Sequence, residues 1–258
     1  MRKHVGDSGL RSTALSPNVA DMKISRGVTL MIHFVLDELV PPIIRDRKWF
    51  IWLPFKILFG SKSEVFANFK RRGLQMSEEE FSAVYGEIAS SGVQRETDLN
   101  KGCVTEIERN IAGESVLEVG CGRGYLAGVL SKDNDVTACD IQVPKAMVEK
   151  YPRVKFEESN AQDLPFGDAS FDTVVCTHTI EHVQDIAQSI RELRRVTRKR
   201  LIIVVPRQRP YRHTFDLHLH FFTYPHMFLS HVRPVEGVKG QDLKEVDGDW
   251  YYQEEHQC

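Results

Sequence analysis

Glu118, Gly120, Gly122 and Gly124 occupy alternate positions in the stretch VLEVGCGRGYLAGVL, residues 116–130. An apolar run carrying an acid, then three glycines, then a helical pattern describes a strand, a tight loop and a helix. Glycine is needed where the backbone turns sharply, or where a ligand must reach the main chain without a Cβ in the way. Spacing narrows the ligand. A dinucleotide loop has the form G-x-G-x-x-G/A, with a diphosphate on the helix N-terminus. Here the third glycine comes one residue early, and Tyr125 fills the position that wants a small residue. A phosphate loop requires Gly-Lys-Ser/Thr, which is absent. Glu118 stands on the strand two residues before Gly120, where an anion repels a diphosphate and attracts a cation. The loop is therefore expected to hold a positively charged cofactor.

Histidines form the second group. His178 follows the apolar run FDTVVCT, at the C-terminal edge where open parallel sheets bind ligands, and is a candidate for contact with cofactor or substrate. His182, four residues on, is weighted towards structural hydrogen bonding rather than catalysis. In HTFDLHLHFFTYP, Phe215, Leu217, Leu219 and Phe221 alternate with Asp216, His218 and His220. If that segment is extended, its three polar groups share one face. The preferred reading is a general base from His218 or His220, oriented by Asp216. A metal site from Asp216, His218 and His220, with His213 as an optional addition, lacks a clear fourth ligand, and no metal is assigned. Plain structural or substrate-binding hydrogen bonds are the third reading.

These side chains need a scaffold. Strand-like runs (SVLEVG, DVTACD, VKFEES, FDTVVCT, RLIIVVP) alternate with helical patterns downstream of residue 113, which predicts an α/β fold with a mostly parallel sheet covered on both faces. The segment DIAQSIRELRRVT repeats Ile186, Ile190, Leu193 and Val196 at helical spacing, and its basic end reads as a solvated face. Near the C-terminus, LKEV and DWYYQ flank Asp247-Gly248, a two-residue turn signal for an antiparallel hairpin. Residues 77–111 are expected to be helical, opening with a Ser77–Glu80 capping box. The expected division is a disordered tail over 1–21, with Met22 as an alternative start, a helical apolar N-terminal cap over 22–112, and the cofactor domain over 113–258.

Bulk properties set limits. Among 258 residues, 34 basic and 36 acidic side chains leave a net charge of −2, so there is no global basic field of the kind nucleic acid selects. Cys103, Cys121, Cys139, Cys176 and Cys258 are odd in number and scattered, which suits reduced thiols. The first apolar run begins only at Val28 and is interrupted by His33, Asp37 and Glu38. Neither a secretory signal nor a membrane span is expected there, and a cytoplasmic location follows. Trp49 and Trp52 lie among Arg45, Arg47, Lys48 and Lys56, a composition that suits either an apolar cap or, over residues 28–60, peripheral contact with the inner membrane face.

Three blocks carry a resemblance to a known family. Glu118-x-Gly120-x-Gly122-x-Gly124, then VTACD ending at Asp140, then NAQDLPFGDASFDTVVCTHTIEHV are similar to class I S-adenosylmethionine-dependent methyltransferases of the type-11-like kind, over roughly residues 113–222. The resemblance implies a Rossmann-like, doubly wound, mostly parallel seven-stranded sheet. It implies that Glu118, Gly120, Cys121, Gly122, Gly124 and Tyr125 hold the methionine end of S-adenosylmethionine. Asp140, with Ile141, would take the ribose hydroxyls; Asn160, Ala161 and Gln162 would frame the adenine, with Thr177 nearby. Asn160 replaces the family's usual Asp, which removes charge assistance from that contact. The Glu-His-Val segment resembles the family's helix start, and the 213–225 segment its post-strand substrate region, over the methyl group. An oxygen acceptor needs its proton removed, so His178, His218, His220 and Asp216 are the catalytic candidates. A fainter resemblance, carried by PPIIRDRKWF and RETDLN, is to methyltransferases of bacterial glycan pathways. The expected reaction is O-methylation of a small molecule or of a sugar, free or lipid-linked. A non-catalytic cofactor-binding protein and an RNA methyltransferase are the competing readings.

Overall fold

The computed structural model describes residues 31, 34–47, 49, 50, 52, 56, 63–89, 96–210 and 217–257. The tail expected over 1–21, Met22, His213, Asp216 and Cys258 lie outside the described residues.

Seven strands make one sheet. β1 (Ser115–Val119), β2 (Asp135–Asp140), β3 (Lys155–Glu158), β4 (Phe171–Thr177) and β5 (Thr197–Pro206) run parallel. β6 (Val238–Val246) and β7 (Asp249–His256) form an antiparallel hairpin whose second strand pairs with β5. The order β3-β2-β1-β4-β5-β7-β6 reverses between β1 and β4, the place where such sheets open a ligand crevice. Asp247 and Gly248 have φ of 48° and 89°, the left-handed pair that a tight hairpin turn demands. β6 starts well before LKEV, with a register shift between Lys239 and Asp242.

Strand alternation builds two cores. Leu117, Val119, Val174, Cys176, Leu201 and Ile203 face one way, onto Ile186, Ile190 and Leu193. Val116, Val175, Ile202 and Val204 face the other, onto Cys103, Ile107, Leu126 and Leu130. Leu99, Cys103 and Ile107 therefore share a core with β1 and β2, although they precede residue 113. Cys103, Cys121, Cys139 and Cys176 are buried free thiols.

The helices are α1 (Pro42–Arg45), α2 (Ser63–Arg72), α3 (Glu78–Ala89), α4 (Lys101–Asn110), α5 (Tyr125–Leu130), α6 (Lys145–Lys150), α7 (Ile186–Val196) and α8 (Pro225–Leu229). The helical expectation over 77–111 resolves into α3 and α4. Residues 96–100 between them are not helical, and Asn100 caps α4 by accepting from the Cys103 N–H at 2.7 Å. The capping box at α3 is formed in both directions, at 3.2 Å each. The basic end of α7 is not a solvated face. Arg194 makes a two-pronged contact with buried Glu254 at 2.8 and 2.7 Å, and Arg195 reaches Glu192 and the Leu164 and Phe166 carbonyls. Those guanidiniums tie the helix to β7 and to the loop after β3.

Ahead of the sheet, a third cluster joins Phe69 of α2 with Phe81 and Tyr85 of α3, and with Leu217 and Leu219 from beyond β5. Trp49 and Trp52 are exposed, at 70% and 53%. No helix among the described residues is long and apolar enough to cross a membrane.

Candidate active site

A cavity of about 660 Å³ opens along the C-terminal ends of β1, β2 and β4 and is covered on one side by α3. All the residues expected to hold the cofactor line it, from Glu118 through Thr177, with the exception of Gly124. Gly124 instead starts α5 at φ 71°, against Met147.

The glycine loop is a backbone construction. The N–H groups of Gly120 and Cys121 both donate to the Cys139 carbonyl, at 2.8 and 3.0 Å, which folds the loop back onto β2. At Gly120, with φ 75°, a Cβ would lie 2.0 Å from Thr179 Oγ1, so no other residue fits. At Gly122, with φ 53°, a Cβ would meet nothing within 4 Å. Gly122 is thus the point where a ligand can approach bare main chain. Its N–H donates to Asp140 Oδ2 at 2.8 Å, which links the loop to the end of β2.

Glu118 is 2% exposed, and its Oε2 is buried with no hydrogen-bond partner among the described residues. Burial pushes its pKa up to about 8; the Ala127 backbone N–H works against this and the Asp140 charge adds to it. Asp140 is also raised above the ordinary carboxylate range, first by burial, despite N–H groups from Gly122, Gln142 and Ile141. Two carboxyls pushed up beside an open glycine backbone fit a ligand with positive charge at one end and hydrogen-bond donors further along. At the far end, Asn160 Oδ1 accepts from the Gln162 N–H at 3.0 Å, and its amide donates to Glu78 of α3. Its oxygen is thus already shared with the backbone, a restriction on the adenine contact expected of it.

His178 also lines the cavity, in a left-handed conformation with φ 49°. Its Nε2 is 3.2 Å from Asp249 Oδ2, and its Nδ1 is 3.8 Å from Glu181 Oε1. Burial alone would lower its pKa, but the Asp249 hydrogen bond and the Glu181 charge outweigh it and raise the value. The raised value favours the protonated ring, which donates to Asp249 and faces the Glu181 carboxylate.

His218 and His220 do not reach the cavity wall, which corrects the expectation of a general base from either. The segment is not extended: Leu217 is left-handed, with φ 53°, and the N–H groups of Leu219 and His220 both donate to the Glu181 carbonyl, at 2.8 and 3.0 Å. Leu217 and Leu219 fill the apolar cluster around Phe69. His220 Nε2 donates to the Val183 carbonyl at 2.9 Å, and burial lowers its pKa. His218 is 8% exposed, bonded through Nδ1 to Gln208 Oε1. The Glu-His pair is likewise a turn; the helix begins only at Ile186, capped by Asp185.

Sequence reasoning missed what the cap contributes. Glu78, Phe81, Ser82 and Tyr85 of α3 and Asp98 line the same cavity. Phe81 and Tyr85 at i,i+4 marked an apolar face, but not what that face covers. Tyr85 Oη lies 2.8 Å from His182 Nδ1. Glu181, with no solvent exposure, was also missed.

Fold and site together define an open α/β domain whose first loop is built for a cationic, hydroxyl-bearing ligand. Residues 117–205 match the family described as "Methyltransferase domain". A probable S-adenosylmethionine-dependent methyltransferase of Mycolicibacterium smegmatis is 39% identical over 109 residues, 41% of this chain and 41% of that protein. The 27-O-demethylrifamycin SV methyltransferase of Amycolatopsis mediterranei is 35% identical over 97 residues, 34% of this chain and 36% of that one. The chain thus matches about two fifths of the length of these curated relatives. The fold is shared with the Burkholderia thailandensis 1,6-didemethyltoxoflavin-N1-methyltransferase, solved with S-adenosylhomocysteine. The TM-score is 0.57, with 16% identity, over 71% of this chain and 92% of that one.

Proposed function

We propose that this protein binds S-adenosylmethionine in the cavity and transfers its methyl group to oxygen on a small-molecule acceptor. The observation that carries the reading is the buried, unpartnered Oε2 of Glu118 beside the open backbone of Gly122. Glu118 and the glycine loop would hold the ammonium-bearing methionine end, and Asp140 the ribose. Asn160, Ala161 and Gln162 would lie against the adenine. When bound, the cofactor would supply a methyl group activated by its sulfonium for displacement by the acceptor oxygen, with the sulfur taking the carbon–sulfur bonding pair and the acceptor's proton lost to solvent. The chain's part is positioning and exclusion of water, which the cap residues Phe81 and Tyr85 provide from above.

A small-molecule acceptor is supported by a cavity enclosed by α3 and by the rifamycin-directed name of one relative. A sugar acceptor carried on lipid draws support from exposed Trp49 and Trp52 with Arg47 and Lys56 nearby, a pairing of rings and cations suited to a membrane surface. Radiolabelled methyl transfer into fractionated extract tests both. Label in the small-molecule or glycolipid fraction, lost in Asp140→Ala, supports the reading. Label confined to RNA or protein overturns the acceptor class, and cofactor binding with no label in any fraction favours a non-catalytic protein.

A further inference from the structure

Beside the cofactor loop, Glu181, His182 and His218 each present a metal-ligating atom, and the three atoms lie within 4.8 Å of one another. The cluster is built from two distant segments. The turn after β4 supplies Glu181 and His182, and the loop after β5 supplies His218, held there by the Leu219 and His220 N–H groups on the Glu181 carbonyl. We propose that these three residues bind a divalent first-row transition ion just behind the cavity wall, where His182 alone of the three lines the cavity.

Three features support this. The ligand set is one carboxylate and two imidazoles, which suits zinc, manganese, iron or cobalt rather than magnesium or calcium. Each imidazole is fixed by its other nitrogen: His182 Nδ1 lies 2.8 Å from the Tyr85 hydroxyl, and His218 Nδ1 donates to Gln208 Oε1. Such outer partners orient a ligating ring and set its tautomer. With Nδ1 engaged, His218 directs Nε2 at Glu181 Oε1, 4.0 Å away. An ion with bonds of about 2.0–2.1 Å spaces tetrahedral ligands by about 3.3 Å. Closing the difference takes a small movement of the Glu181 carboxylate towards His218 on binding.

Three protein ligands leave at least one position for an exogenous oxygen. His182 lines the cavity, so that position adjoins the space where an acceptor would sit. The ion's role would be to take the acceptor hydroxyl as a ligand and lower its pKa, replacing the base that neither His218 nor His220 provides. This role rests on the methyl-transfer reading; ion binding itself does not.

The test is titration of the full, chelator-stripped chain with Co²⁺, followed by visible absorption. One equivalent should develop ligand-field bands, and Glu181→Gln and His218→Asn should weaken binding at least roughly tenfold, while His226→Ala, at an exposed site, leaves it unchanged. Mn²⁺ added to the wild-type chain should broaden the His182 and His218 ring resonances before those of other histidines, a readout that needs no variant to fold. Absence of stoichiometric binding, or broadening of other histidines first, overturns the proposal. Neither result bears on S-adenosylmethionine binding, which is measured separately by calorimetry. An ion that binds without accelerating transfer removes the role assigned to it and leaves the site.

Discussion

The two sides of the cavity are held together differently. On the cofactor side, Glu118, the glycine loop and Asp140 sit at the ends of adjacent parallel strands. Sheet register, two backbone hydrogen bonds and one from the Gly122 N–H to the Asp140 carboxylate fix their relation. On the histidine side, His182, Glu181 and His218 are brought together by a turn, a loop from beyond β5 and a tyrosine from the cap. The first arrangement follows from the strands themselves. The second exists only once Leu217 and Leu219 have packed against Phe69. A rigid, strand-built floor beneath a loop-built wall allows one to be kept while the other changes, the usual division between scaffold and loops.

Substitutions on the two sides should therefore fail in different ways. The largest effect is expected from Gly120→Ala. Its left-handed φ and the Thr179 hydroxyl leave no room for a Cβ, and strain of a few kcal/mol should cost cofactor affinity about a hundredfold in calorimetry. Next comes Asp140→Ala, which removes a charge-assisted acceptor and the anchor of the Gly122 N–H. Affinity should fall by roughly tenfold to a hundredfold, with little change in thermal midpoint. A comparable loss from Tyr85→Phe would break the comparison, because that hydroxyl contacts His182 and not the loop. The expected result is an acceptor KM raised a few-fold, with cofactor affinity unchanged. The smallest effect is expected from His220→Asn. Its ring is occupied by the Val183 carbonyl, so turnover should stay within about threefold of wild type and stability should fall by about 1 kcal/mol, read from denaturant unfolding.

The same contrast explains what was legible in the sequence. Glu118, Gly120, Gly122 and Asp140 are close in sequence or at equivalent strand ends, so their spacing and the family resemblance together picked out residues that line one cavity. The Asp247-Gly248 hairpin was legible from its local turn signal. The histidine segment misled because a period of two is a pattern and not a conformation. Leucines at 217 and 219 were read as one face of a strand, but the aromatic cap had the stronger claim on them, and a left-handed Leu217 broke the run. Nothing local to THTIEHV announces that Glu181 will be buried among three histidines, two of them its neighbours in the turn and the third from beyond β5. The basic end of α7 misled similarly, since its partner Glu254 lies sixty residues on.

Glu118 offers the most direct test of the central claim that this side holds a cationic cofactor. With its pKa raised to about 8, the empty site carries a protonated carboxyl at pH 7. A bound cation favours the ionised form, so binding should release a proton and tighten as pH rises towards 8. Calorimetric titration of S-adenosylmethionine at pH 7, in two buffers of different ionisation enthalpy, counts those protons. The account predicts release of close to one proton per cofactor in the wild-type chain and none in Glu118→Gln. Binding without proton release, or release that persists in Glu118→Gln, would contradict it.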